Sequence, residues 1–543
     1  MARSQVKTML PRLGELYKER SLFITGASGF LGKVLVEKLL YSVPDIKRIY
    51  IIVRSSRGKT ARERWTVITE GILFDRLRRE NPSALQKVIV IEGDLMQENL
   101  GMSQHDIQRI CDEVSVVFHC AATVKFDEKL REAVAMNVKG TTRLISLCHK
   151  MPKLACLVHC STAYANCDRK KTEEMVYPAP VDPQKLNETL DWMDDKMIDA
   201  ITPQLLGARP NTYTLTKALA ESQLMEDAQG LPVIIFRPSI VCAMWKEQLP
   251  GWLDNVNGPA GLFIAVGKGV LTSMPGDLSA VADLIPVDVV SNMMIATGAY
   301  RLNSSSVNIP IVHCTSGQLN PVTWNGVVSF LREVYKEYPM PDAFGVPDAI
   351  FFKSNAKFEV EHRLRHEIPA KMLDVACQVV GKKAIYSRLY GKVRTMVHTL
   401  EYFTTRGWHF ENKGLPMLWE ALHPEDKKIF NFDVRQINWS NYLFDYVMGV
   451  RKYITKEKIE DKKNHDVAKA NLKKLQRFKF ISRLAICYGI ALLLSRYSKK
   501  YPFWKYYTAL FLTSQVIANI SYKPVHRLKS LDDYLKEQKS EMA

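Results

Sequence analysis

None of the ten cysteines in this 543-residue chain belongs to a CxxC pair, and no zinc-finger spacing or RNP-like aromatic run occurs. Those absences set aside the common metal-binding and RNA-reading modules, and nucleic acid is not expected as a partner. His159 does lie between Cys156 and Cys160 in CLVHC. The apolar run around it reads as a buried strand, so no metal is expected there. No apolar h-region of the secretory kind opens the sequence, which points to reduced, cytosolic thiols. The GxSxG elbow is missing, and no Cys is paired with a His by motif, so nucleophilic catalysis is not expected. There is no internal repeat and no low-complexity tract. No apolar run reaches the roughly 20 residues of a standard spanning helix. Neither SKL nor KDEL closes the chain, so endoplasmic reticulum and peroxisome both stay open.

What is abundant is positive charge. The formal net charge is +18, with hydrophobic and charged fractions of 47% and 24% that are ordinary for globular proteins. The basic excess gathers at Arg451–Lys479 and Arg496–Lys505, beside the most apolar stretches. That placement favours an anionic membrane surface, facing the cytosol, with a polyanionic small molecule as the second reading. At this length more than one folded unit is expected.

Over the first 300 or so residues, short apolar runs alternate with helical patterns, the signature of a doubly wound α/β sheet of Rossmann type. Strands are expected at Ser21–Thr25, Arg48–Val53, Lys87–Glu92, Ser115–His119, Ala155–His159 and Val233–Phe236. All are apolar nearly throughout, as parallel strands covered on both faces should be. A short N-terminal segment (1–20) precedes this unit (21–353). A mainly helical domain follows (354–455), with helices at Ala370–Val380, Leu389–Thr404 and Trp439–Val450 and aromatic anchors Tyr402, Phe403, Trp408, Trp439 and Tyr442. Then come a basic linker (456–477), one or two short apolar membrane segments (478–522) and a polar tail (523–543). The apolar segments fit one or two short spans, a re-entrant hairpin, or core helices of a small domain.

The first strand runs straight into Gly26-Ala27-Ser28-Gly29-Phe30-Leu31-Gly32. Glycines there let the backbone approach a pyrophosphate at a helix N-terminus. Its spacing is GxxGxxG, and its position after a strand and before a helix gives it weight. At the end of the second strand stands Arg54 where an NAD enzyme would carry a carboxylate, so NADPH is expected. Asp94 is placed to meet the adenine edge, and Ala121 ends the fourth strand small enough for the cofactor to pass.

Tyr213 and Lys217 form YxxxK, which on a helix shares one face. The ammonium is expected to favour the phenolate and lower the tyrosine pKa. A hydroxyl at the end of the fifth strand would hold the substrate oxygen beside Tyr213; Thr162 is preferred and Ser161 is the second choice. Trp252 and Asn257, in PGWLDNVNGP, suit either loop packing or substrate contact.

These features together resemble the extended short-chain dehydrogenase/reductase superfamily. The segments TGASGFLGKVLVEKLL, VFHCAATVKFDEKLREAVAMNVKGT, HCSTAYANC, YTLTKALAE, FRPSIV, PGWLDNVNGP and DLIPVDVV, with the later run LEYFTTRGWHFEN…LHPEDKKIFNFDVRQINWSNYL, are similar to the fatty acyl-CoA reductases from about Ser21 to Lys458. That resemblance implies reduction of a long-chain acyl-CoA to a primary alcohol by NADPH, through an aldehyde, with Lys217 binding the nicotinamide ribose. The rival is another member of the superfamily, a nucleotide-sugar epimerase or steroid-type dehydrogenase. Such an enzyme would lack the helical domain and the apolar tail.

Overall fold

The computed structural model describes residues 9–304, 308–497, 502–519 and 528–542. The expected N-terminal segment is thus described only from Met9, and residues 520–527 lie outside the description.

Seven parallel strands form one sheet: β1 (Ser21–Thr25), β2 (Arg48–Val53), β3 (Val88–Glu92), β4 (Val114–His119), β5 (Cys156–Cys160), β6 (Val233–Pro238) and β7 (Ile311–Cys314). Their spatial order is β7-β6-β5-β4-β1-β2-β3. Six of them were legible as apolar runs, with ends shifted by a residue or two; β7 was not. Strand residues alternate between faces, so Leu22 and Ile24 pack with the helices Phe30–Ser42 (α1) and Val287–Leu302. Phe23, Val117 and Leu157 point the other way, against Leu144 and Ile145 of helix Gly140–Cys148 and Leu224 of helix Thr212–Asp227 (α2). After β3 the chain crosses to the far side of β1 to enter β4. The strand order reverses there, and the crevice at such a reversal is where this architecture takes its ligand.

The C-terminal helices do not form a separate core. Val393, Val397, Leu415, Tyr442 and Val447 belong to the same buried cluster as β1 and α1. Short parallel pairings stitch the regions together, His409–Phe410 to Lys171–Thr172 and Ile350–Phe352 to Ser273–Pro275. The N-terminal segment docks there too. Leu13 donates its N–H to Asp426 Oδ2 at 2.8 Å, and Arg12 pairs with the same carboxylate at 2.9 Å.

One helix, Lys462–Tyr497, runs unbroken through the stretch read as a basic linker and the first apolar segment. A charged stretch rich in Lys, Leu and Ala can continue a helix as readily as it can link two. Among the described residues it is the one helix long and apolar enough to cross a membrane. Helix Phe503–Asn519 packs antiparallel to it: Phe480 meets Phe511 with ring centroids 6.4 Å apart, and Tyr488 meets Phe503 at 5.1 Å. The chain then returns to the body, where Lys529 pairs with Asp445 at 3.1 Å and Tyr534 is buried against Phe444. Both ends of this hairpin therefore leave from the same side.

Candidate active site

The turn from β1 into α1 is held open by its glycines. Gly26 has φ +75°, and a Cβ there would lie 2.7 Å from the Ala121 nitrogen. A Cβ on Gly32 would sit 2.2 Å from the Gly26 carbonyl oxygen. Gly29 donates its N–H to that same carbonyl at 2.9 Å and caps α1, with Ser28 half-buried just before it. The N–H groups of Phe30, Leu31 and Gly32, in the first turn of α1, have no partner within their own helix. Such a turn can cradle an anionic pyrophosphate, and the residues present fit a dinucleotide. Ala121 lies alongside, donating its N–H to Thr25 Oγ1 at 3.2 Å. Arg54 and Asp94 meet at the neighbouring strand ends, with Nη1 and Oδ2 3.7 Å apart. The guanidinium is more than half exposed, free to turn toward a phosphate.

Asn211 caps α2, accepting the Thr214 N–H at 2.9 Å, so the helix begins just ahead of Tyr213. Tyr213 and Lys217 share a face of α2. The Thr162 hydroxyl, two residues beyond β5, lies close enough to the Tyr213 phenol to lower its pKa. Its Oγ1 accepts the Tyr164 N–H at 3.2 Å and donates to the Pro238 carbonyl at 3.4 Å. Ser161 Oγ is buried and has no hydrogen-bond partner among the described residues. Of the two candidate hydroxyls, Thr162 is the one whose influence on the phenol is felt.

The tyrosine pKa is raised, not lowered as the YxxxK spacing led us to expect. Burial in apolar surroundings is the largest influence on Tyr213 and raises its phenol pKa above the ordinary value; the Thr162 hydrogen bond lowers it by less. Lys217 directs its ammonium elsewhere, donating from Nζ to the Cys160 carbonyl at 2.8 Å. Its own pKa is pushed down by burial. The tyrosine is thus held protonated rather than poised as a phenolate.

Two parts of the site were not read from the sequence. Asn137 sits on a π-turn, Ala135–Lys139, the kind of helix distortion that recurs at functional sites. It accepts the Thr123 N–H at 2.9 Å and donates to Thr216 Oγ1 at 3.0 Å, bracing the helix of Tyr213. A single buried Asn within AVAMNVKG was the available signal. The second part is an aromatic wall. Phe126 stacks on Tyr213 with centroids 5.9 Å apart, and Phe403 packs on Phe126 at 5.4 Å. Tyr164 meets Phe403, Trp408 and Phe410 edge-on. Aromatic anchors of the helical region thus reach Tyr213.

The loop after β6 closes over the glycine turn. Trp252 stacks on Phe30 at 5.7 Å, and Asp254 pairs with Lys33. The Asp288 carboxylate accepts the backbone N–H groups of Trp245, Lys246 and Glu247, at 2.9, 2.8 and 3.2 Å, and fixes where this loop departs. Asn257 only closes a local turn, donating its N–H to Asn255.

A glycine turn at the reversal of a parallel sheet, with a Tyr–Lys pair and a strand-end hydroxyl beside it, defines a nicotinamide-dependent short-chain dehydrogenase/reductase of the extended kind. The comparisons with known proteins narrow the class. Two family models, both described as male sterility protein, match residues 24–294 and 365–457. Fatty acyl-CoA reductase 1 of Rattus norvegicus is 44% identical over 466 residues, 86% of this chain and 90% of that one. Fatty acyl-CoA reductase 2 of Bos taurus is 40% identical over 474 residues, 87% and 92% of the two chains. The chain belongs to the fatty acyl-CoA reductase family. In fold it is similar to the reductase domain of a nonribosomal peptide synthetase from Mycobacterium tuberculosis. That match has TM-score 0.54 and 19% identity, and covers 82% of this chain and 94% of that one. It is also similar to the terminal R domain of the myxalamid pathway, with TM-score 0.53, 19% identity, and 81% and 92% coverage.

Proposed function

We propose that this protein reduces long-chain fatty acyl-CoA to the primary alcohol with NADPH, by two hydride transfers at one site. The observation that carries the reading is the Tyr213–Thr162 pair set against a wall of aromatics from the helical domain. A proton donor and an apolar surface for an acyl chain meet there. When bound, the nicotinamide supplies the hydride for each reduction. Tyr213 and Thr162 hold the thioester carbonyl oxygen, and Tyr213 gives up its proton as negative charge develops on it. As the hemithioacetal loses its C–S bond, its hydroxyl returns the proton to Tyr213, and CoA leaves as the thiolate and takes a proton from solvent. The aldehyde carbonyl then takes the same two hydrogen bonds for the second round, after which solvent reprotonates Tyr213. Lys217 holds the nicotinamide ribose, and Asp94 the adenine edge. The phosphates of CoA are drawn by the strong positive charge of the chain.

The test is the purified full chain in detergent, given NADPH and acyl-CoAs of graded length. Two NADPH oxidised and one CoA thiol released per alcohol formed is the expected balance. No NADPH oxidation on any acyl-CoA would sink the assignment. One NADPH per thiol, with aldehyde as the only product, would sink its alcohol-forming half.

Arg54 supports the choice of NADPH, because a charge-assisted hydrogen bond to the 2′-phosphate has no counterpart with NADH. Replacing it (Arg54→Ser) is expected to raise the KM for NADPH about ten- to a hundredfold and leave that for NADH nearly unchanged. Equal KM changes for the two cofactors would remove Arg54 from this role.

The antiparallel hairpin, with both ends on the body, supports seating of the apolar segments in an endoplasmic reticulum or peroxisomal membrane, with the catalytic body on the cytosolic side.

A further inference from the structure

The stretch around helix Ile368–Val379 is built as if for two environments. Phe358, His362, His366 and Ala370 recur every fourth residue and face inward, all buried. His366 Nε2 is tied to Thr272 Oγ1 at 2.9 Å. The opposite stripe, Val360, Leu364, Ile368, Met372, Val375 and Val379, recurs at helical spacing and is exposed. Met372 is 68% exposed and Val379 81%. A run of this kind, continued by Val380 and Ile385 at the tip, is not what a water-facing helix carries.

Charge and position say what covers it. From Arg363 to Arg394 there are eight Lys or Arg against two Asp or Glu. Both acids are used internally: Glu367 pairs with Lys371 at 2.7 Å, and Asp374 accepts the Tyr386 and Ser387 N–H groups at 2.8 Å each. Lys382, Lys383, Arg388 and Lys392 stand exposed around the tip. This surface also adjoins the long apolar helix. Lys479 of that helix lies 4.0 Å from Asp348 and within the electrostatic reach of Arg365. An apolar stripe rimmed by cations, beside a candidate spanning helix, matches a helix lying in the plane of an anionic bilayer surface.

We infer that residues 360–385 form a second membrane-binding surface, which lies in the headgroup region of an anionic leaflet beside the hairpin. Its consequence is directional. Helix Tyr386–Thr404, 19 residues and so about 28 Å long, leads from this surface to Phe403 in the aromatic wall next to Tyr213. A substrate whose acyl chain partitions into the leaflet would meet the protein at the start of that path. The inference extends the reading that the chain works at a membrane, yet stands or falls separately from it.

The experiment uses the full chain reconstituted in vesicles carrying a photoactivatable diazirine acyl chain, with phosphatidylserine present or absent. Adducts are mapped by mass spectrometry. Adducts within 360–385, several-fold more abundant with phosphatidylserine, are the expected result. Met372→Asp with Val379→Asp should lower them about tenfold, while labelling of 478–513 and turnover of a short, water-soluble acyl-CoA stay at the parent level. Adducts on 478–513 without any on 360–385 would overturn the inference and leave the hairpin in the membrane. A loss of labelling on 478–513 alone would overturn the hairpin reading instead. Labelling of 360–385 that ignores lipid charge, or a change from dimer to monomer in the double variant, would overturn it in favour of a neutral or protein-covered face.

Discussion

Replacing Tyr213 by phenylalanine is expected to lower kcat/KM for acyl-CoA about 10²- to 10⁴-fold, the usual worth of a positioned proton donor. NADPH affinity should change little. The reason for the split is geometric. The ring packs on Phe126 at 5.9 Å and will keep doing so as phenylalanine, so neither the helix nor the aromatic wall has cause to move. Only the phenolic proton and its contact with Thr162 disappear. Because burial raises the phenol pKa, the native residue stays protonated through the neutral range, and the loss should be nearly constant with pH there. Single-turnover rates on an isolated aldehyde should fall as they do on the thioester, since both carbonyl oxygens use the same hydroxyls. A variant that reduced aldehyde at the parent rate but failed on the thioester would show that the two rounds use different donors. A variant that kept both rates would remove Tyr213 from the chemistry.

The sequence carried some of this site plainly and hid the rest for identifiable reasons. The glycine turn was readable because Gly26 and Gly32 leave no space for a side chain, a constraint that shows in the residue type itself. Six strands were readable because both of their faces are covered. β7 escaped because IVHC is only four residues long and includes His313, a buried histidine whose burial beside Arg237 lowers its pKa to about 3. The sequence left Thr162 and Ser161 both open because it does not give the strand register. Adjacent residues point opposite ways, and no pattern in CSTAY says which is which. The expected low tyrosine pKa failed for a different reason. Spacing placed Lys217 on the right face of the helix but could not show that its ammonium turns to the Cys160 carbonyl, or that desolvation outweighs it. The aromatic wall was hidden by distance along the chain, since Phe126 and Phe403 touch only once the helical domain has folded back.

The second large effect is expected at a residue that touches no substrate. Tyr213, Lys217 and Glu221 follow one another at four-residue spacing along α2, so all three lie on one stripe of the helix. The first two face the site, and the third pins the helix to the sheet. Glu221 accepts two hydrogen bonds from Arg237 of β6, at 2.8 and 2.6 Å, with both side chains only 1% exposed. Arg237 also donates to the carbonyls of Glu173 and Met175, and meets His313 Nε2 at 3.1 Å. Glu221→Ala leaves that guanidinium buried without its counter-ion, and is expected to cost about 3–5 kcal/mol in denaturant unfolding. Since the helix end carrying Tyr213 is set by the same anchor, surviving protein should show a lower kcat as well. Adding Arg237→Met to Glu221→Ala removes the stranded charge and should restore part of the stability, because a buried pair is worth less than the damage done by breaking it. If the single variant unfolds at the parent's denaturant concentration, the pair does not anchor the helix. If the double variant is no more stable than the single, the loss comes from the missing glutamate's packing and not from an unpaired charge.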